Sequence, residues 1–120
     1  MFHEFRFATP VHKDSAAYAA WLCEGLRDRL ADADVAEPLA EAAGHVIWLD
    51  IGGTRFELTV ARSTSAQDAW LMGLAQDLPA FVPRVASYAR DRERFDALVA
   101  AVRALALSDP TTRLIDERDD

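Results

Sequence analysis

One cysteine in 120 residues leaves no partner for an internal disulfide, and three histidines show no spacing that would build a zinc site. Cys23 falls on the apolar side of a predicted helix, where a free cysteine packs as a small, inert side chain. None of His3, His12 and His45 stands at a spacing that pairs with it as a base, so neither a catalytic nor a metal-binding set is read. Base is scarce too. Thirteen Lys and Arg against twenty Asp and Glu set a formal net charge of −7, which argues against direct contact with nucleic acid, whose phosphates have to be met by a basic surface. No apolar run approaches the ~20 residues of a membrane span. The opening Met1 to Phe7 interleaves Glu4 and Arg6 with its phenylalanines, unlike a secretion signal. The expectation is a cytoplasmic protein with no cofactor and no membrane contact implied. Length for two lobes is also lacking, so residues 1–120 are read as one domain with a two-layer core.

What the chain does have is an alternating run around two glycines, Trp48-Leu-Asp-Ile-Gly-Gly-Thr-Arg-Phe-Glu-Leu-Thr-Val60. Gly52-Gly53 supplies the positive backbone angles of a two-residue type I′ hairpin turn. With those glycines as the loop, Ile51 faces Thr54, Asp50 faces Arg55, Leu49 faces Phe56 and Trp48 faces Glu57. Ile47, Leu49, Ile51, Phe56, Leu58 and Val60 then share one side, and Asp50 and Arg55 form an opposite-charge pair on the other.

The string Asp50-Ile51-Gly52-Gly53-Thr54 is similar to the first phosphate-binding hairpin of sugar kinases and other actin-like ATPases. That resemblance implies a phosphate contact at Gly52, Gly53 and Thr54. The actin-like fold also needs a second phosphate loop and an adenosine pocket, for which 120 residues leave no room, and each residue of the string has a structural task in a plain hairpin. A tight turn is the preferred reading and a phosphate site the alternative.

Elsewhere, Phe5 and Phe7 alternate with Glu4 and Arg6 in a first strand over 2–8, which Thr9-Pro10 ends. Asp14 or Ser15 caps a helix running to about Ala33, with Tyr18, Ala19, Leu22, Cys23, Leu26 and Leu30 on one stripe and Trp21 at its margin. Asp34 to Gly44 reads as a connector with a short helical turn after Pro38. A polar loop, Ser63 to Asp68, leads to a strand over 69–74 in which Trp70, Met72 and Leu74 share a face and Gly73 lies opposite, under a ring such as that of Trp48. Pro79 and Pro83 break the pattern. A second helix is firm from Asp91 to about Leu107 and begins as early as Arg84, its first turns carrying Arg84, Arg90, Arg92 and Arg94 against the helix dipole, as if placed for partners. Asp109-Pro110 stops it, and 109–120 holds a short strand over 111–116 and a frayed acidic end. The order strand, helix, three-strand meander, helix, strand predicts an α+β domain in two layers: a mostly antiparallel sheet with both long helices on one face.

Glu41-Ala-Ala-Gly44-His45-Val46, leading into the alternating hairpin and its Phe-Glu-Leu-Thr-Val return strand, resembles a group of small, mostly uncharacterised proteobacterial proteins. The chain is also similar to bacterial toxin-immunity proteins, which are often small, acidic and α+β. The resemblance implies no catalytic residues. It implies a binding module that inhibits a basic toxin or effector, with Asp32, Asp34, Glu37 and Glu41, or the acidic tail from Asp109 through Asp116, Glu117, Asp119 and Asp120, meeting the partner and Trp21 or Trp48 as anchor. Two other readings stand beside it. One is an enzyme-like domain for a small polar or phosphorylated ligand near the turn, drawing on Asp50, Glu57 and His45. The other is a homodimeric structural or sensory subunit joined through Val46, Trp48 and Thr59.

Overall fold

A computed structural model describes residues 1–77 and 88–119. Among these residues the chain is α+β: strands β1 (Phe2–Ala8), β2 (Ala33–Val35), β3 (Leu39–Glu41), β4 (Gly44–Ile51), β5 (Thr54–Arg62), β6 (Ala69–Gln76) and β7 (Arg113–Asp119), with helices α1 (Ser15–Arg29) between β1 and β2 and α2 (Tyr88–Ala106) between β6 and β7. One antiparallel sheet takes all seven strands in the order β2-β4-β5-β6-β1-β7, with β3 paired to β4 beside β2. Pro79, Pro83 and the expected helix opening at Arg84 lie outside the described residues, as does Asp120.

The hairpin has the register its alternation requires, from Ile51 opposite Thr54 to Ile47 opposite Leu58. Its inward side chains join Phe5, Phe7, Trp70, Met72 and Leu74 in a single buried cluster with Leu22 and Leu26 of α1 and Phe95, Leu98 and Val102 of α2. Both helices therefore cover the same face of the sheet. Each fully buried Leu or Phe in that cluster contributes ~1.5–3 kcal/mol relative to an exposed one. Gly25 of α1 lets the helices approach closely, since a Cβ there would stand 2.5 Å from Leu105 Cδ1.

Helix α1 starts where its cap lies. Asp14 is extended, and its carboxylate accepts from Ala17 N at 2.8 Å, satisfying a donor the helix itself leaves open. The helix ends at Arg29, short of the expected end near Ala33, with the Leu30 N–H still bonded to Leu26 O.

The structure departs from the sequence reading in three further places. The connector after α1 holds no helical turn: its residues form β2 and β3, an edge strand in two pieces. Val35 pairs with Leu49 and Leu39 with Val46, so the connector spends one residue more than β4 does between those pairs, and the Ala36 N–H bonds to Trp48 O at 2.9 Å. Gly73 is flanked by Thr59 Oγ1 and the ring of Phe2, not by Trp48. The acidic end is a full strand, not a frayed tail. Asp116 pairs with Arg6, Arg118 Nε with Glu4 at 3.0 Å, and Glu117 accepts from Arg103 Nη2 at 2.9 Å and lies 3.2 Å from His3 Nε2. Burial pushes the Glu117 carboxyl up, but Arg103 and His3 outweigh it and hold it below its ordinary value.

Candidate functional site

The Gly-Gly turn is built from inside the protein. Gly52 and Gly53 take φ of 59° and 88°, the left-handed region that favours glycine. Asp50 Oδ1 accepts from Gly53 N at 2.9 Å. Thr54, 2% exposed, donates its hydroxyl to Asp91 Oδ1 at 2.8 Å and accepts from Arg94 Nη1 at 2.9 Å. Gln76 Nε2 donates to the other oxygen of Asp91 at 3.0 Å. Of Gly52, Gly53 and Thr54, which the actin-like resemblance assigns to phosphate, the Gly53 N–H is thus taken by Asp50 within the hairpin, and the Thr54 hydroxyl fastens the hairpin tip to the first turns of α2. Arg94 is the arginine of that helix whose place the fold explains best, because its guanidinium closes over Gly52 and Thr54.

The enzyme-like set does not assemble. His45 lies on the helix side of β4, its Nδ1 2.8 Å from Ser15 Oγ, whereas Asp50 and Glu57 point from the opposite face, as the period-2 alternation of β4 and β5 demands. Among the described residues no group of three His, Cys, Asp or Glu side chains could hold a metal ion. Cys23 is buried, its thiol donating to Ala36 O at 3.4 Å. Burial first, then Glu37 and Glu24, push that thiol up against the opposing effect of Arg27.

The two candidate anchors lie on opposite sides of the molecule. Trp21 is half-buried in the helix layer, 5.1 Å from the His12 ring and 6.0 Å from that of Tyr18. Burial lowers the His12 pKa, against the pull of Asp109. Trp48 lies on the outer sheet face, and only Trp48 stands beside the expected acids. Asp34 in β2 is directly opposite Asp50, and both are exposed. Glu41 ends β3, and Asp32 lies just before β2 near the hairpin tip. Glu37 is exposed but already bound to Arg27 at 2.9 Å.

Asp50 and Arg55 are opposite in register, yet they do not pair, contrary to the expectation from the sequence. The Arg55 guanidinium lies over the Trp48 ring, 4.3 Å from its centre, and reaches Asp77 at 3.7 Å. Glu57, opposite Trp48, is partly buried. Its carboxyl is pushed up by burial first and then by Glu41 and Asp77. The outer face around Trp48 thus gathers Asp34, Asp50, Glu57 and Asp77, with Glu41 close enough to be felt.

Asp77 is the member the sequence did not single out. Extending the β5–β6 register past Phe56 and Gln76 would have found it, and the Asp77 N–H does bond to Arg55 O at 2.9 Å. A larger hollow of about 590 Å³ lies on the same face between β1, β7 and the Ser63–Ser65 loop, but its charges are already matched as Arg6 with Asp116 and Arg118 with Glu4.

No protein-family model, no curated protein and no solved structure matches this chain. No helix among the described residues is long and apolar enough to cross a membrane.

Proposed function

We propose that the chain is a non-catalytic protein-binding module, an immunity protein or inhibitor of a bacterial toxin or effector, which meets a basic partner through its acidic surface. The observation that carries this reading is the grouping of Asp34, Asp50, Glu57 and Asp77 about the exposed side of Trp48, continued along the edge by Asp32 and Glu41. Such a surface steers a cationic partner by long-range attraction, and a tryptophan at its centre supplies an apolar anchor. Asp116 and Glu117 of β7 contribute little to it, because Arg6, Arg103 and His3 already hold them.

Self-association through Val46, Trp48 and Thr59 has less to offer. Val46 is 1% exposed and has almost no area left to bury, and the Thr59 hydroxyl donates to Gly73 O at 3.3 Å.

A pull-down from the source cell's lysate, washed at low and then high salt, tests the proposal. The expected result is one stoichiometric basic protein released by salt. The variant with alanine at Asp32, Asp34, Glu37 and Glu41 should associate with it more slowly. Unchanged association of that variant removes the edge from the interface, and a partner that is acidic or salt-insensitive overturns the reading.

A further inference from the structure

The geometry points to an arginine-capture site on the outer sheet face, in which Asp34 and Asp50 grip the guanidinium of a basic partner segment and Trp48 stacks beneath it. The inference rests on the binding-module reading above and assigns the chemistry of its contact.

Asp34, Asp50 and Arg55 form one row across β2, β4 and β5, and Ala36, Trp48 and Glu57 form the next. Two like charges directly opposite each other in neighbouring strands repel and weaken a sheet. Here no cation pairs with them: among the described residues neither Asp34 nor Asp50 takes part in an ion pair, and Asp50 accepts only from Gly53 N. The cation one strand away, Arg55, lies over Trp48 instead of between the two aspartates. Asp34, Ala36, Trp48, Asp50 and Arg55 line a groove of about 210 Å³. That space suits one side-chain head and is too small for a nucleotide or a drug-sized ligand.

The occupant is defined by what surrounds it. Two carboxylates favour a cation, and a planar fork of donors uses both of them where an ammonium would act as a point charge. The indole face favours the same ion, since guanidinium stacks on aromatic rings. Arg55 demonstrates that compatibility within the chain, for its own guanidinium rests on this ring. Its other contact, to Asp77 at 3.7 Å, joins two side chains that are each about half exposed, so it is weak and easily rearranged. Arg55 is a placeholder: it gives up the ring to the partner's arginine and stays with Asp77.

The test uses three acetylated, amidated peptides of sequence Gly-X-Gly-X-Gly, with X as arginine, lysine or citrulline, titrated into the ¹⁵N-labelled protein at low salt. The arginine peptide is expected to move the Trp48 indole N–H, the Arg55 Nε–H and the amides of Asp34 and Asp50. Lysine should bind ~3-fold more weakly and uncharged citrulline should not register, as the loss of the fork and then of the charge requires. Arg55→Ala, which frees the ring, should tighten the arginine peptide by ~2–5-fold, and Trp48→Leu should weaken it by a similar factor, the scale of an exposed cation–π contact. Asp34→Asn, on the edge strand, should weaken it further. It is preferred to Asp50→Asn, which also disturbs the turn, and an unchanged amide spectrum away from β2 certifies its fold.

Equal shifts from arginine and citrulline overturn the inference, as does a weaker complex with Arg55→Ala. If the peptide moves Asp32, Glu37 and Glu41 while the Trp48 indole stays still, the capture site is wrong and the acidic binding module survives. No shift from either cationic peptide overturns the capture site, and the binding-module reading is then decided by the pull-down alone.

Discussion

Thr54 donates to Asp91 at 2.8 Å where both side chains are almost wholly buried, 2% and 1% exposed. One residue follows a hairpin turn and the other belongs to the first turn of α2, so this hydrogen bond ties the meander to the helix across 37 positions of chain. It gives the threonine that ends the string Asp-Ile-Gly-Gly-Thr a structural task.

Removal of that hydroxyl by Thr54→Ala leaves Asp91 and Arg94 short of a buried partner. Asp91 keeps its bond from Gln76, so the expected cost is ~1.5–3 kcal/mol, the scale of a hydrogen bond to a charged group. Urea unfolding measures it, and Thr54→Ser should recover most of the loss. A Thr54→Ala protein within ~0.3 kcal/mol of the parent, well below the net worth of an ordinary hydrogen bond, would show that the tie contributes nothing.

The two glycines of the turn should differ in how they couple to that tie. An alanine at either meets a positive φ, at ~1–2 kcal/mol for the left-handed region. At Gly52, though, a Cβ would also lie 2.5 Å from Arg94 Nη2, while at Gly53 nothing stands within 4 Å. Gly52→Ala should therefore push Arg94 off Thr54 and be non-additive with Thr54→Ala in a double-mutant cycle, whereas Gly53→Ala should add within ~0.5 kcal/mol. Equal coupling at both glycines would falsify this account of Arg94.

Glu57 carries a pH signature. Burial, then Glu41 and Asp77, raise its folded pKa above the unfolded one, so the ionised side chain opposes folding at pH values above that raised pKa and does nothing where both states are protonated. Glu57→Gln should stabilise the protein near pH 7, by an amount that solvent screening keeps small. The gain should shrink toward zero as the pH falls below the ordinary carboxylate range. Chemical denaturation across that range reads it out, and a gain that grows on acidification would reverse the sign of the argument.

Cys23 should resist thiol reagents while the protein is folded. Its thiol is 1% exposed and raised by burial, and the thiolate is the reactive form. Modification by a disulfide reagent is expected only with unfolding, at a rate that rises with urea as the population of open protein does. Rapid labelling in native buffer would mean that α1 and the β2 edge part readily.

Phosphate titrated into the labelled protein should leave the amides of Gly52, Gly53 and Thr54 unshifted, because Asp50 already accepts from the Gly53 N–H and Asp91 and Arg94 already engage the Thr54 hydroxyl. A saturable shift at those amides restores the phosphate alternative.

Much of the fold was legible because it is locally encoded. A two-residue Gly-Gly turn fixes which residues face each other, and period-2 alternation then assigns every side chain of β4 and β5 to a face. The α1 cap at Asp14 and the buried stripe through Leu22 and Leu26 follow from helical spacing in the same way. Residues 33–41 carry no such signal. Three-residue strands have almost no intrinsic preference, and β2 and β3 exist because the edge of β4 offers them unpaired N–H and C=O groups.

The candidate site divides along the same line. Sequence by itself determined the excess of acid, the outward alternation of Trp48, Asp50, Arg55 and Glu57, and the absence of paired metal or nucleophile spacing. Only the tertiary structure decided which charges meet. It set Asp34 against Asp50 across an unforeseen strand pairing, turned Arg55 onto Trp48 and toward Asp77, gave Asp116 and Glu117 to Arg6, Arg103 and His3, and put Trp21 and Trp48 on opposite sides of the sheet. The reason is physical. A backbone register is specified by neighbours a few residues apart, whereas a long charged side chain chooses among partners brought close by the fold, and those partners lie far away in the chain.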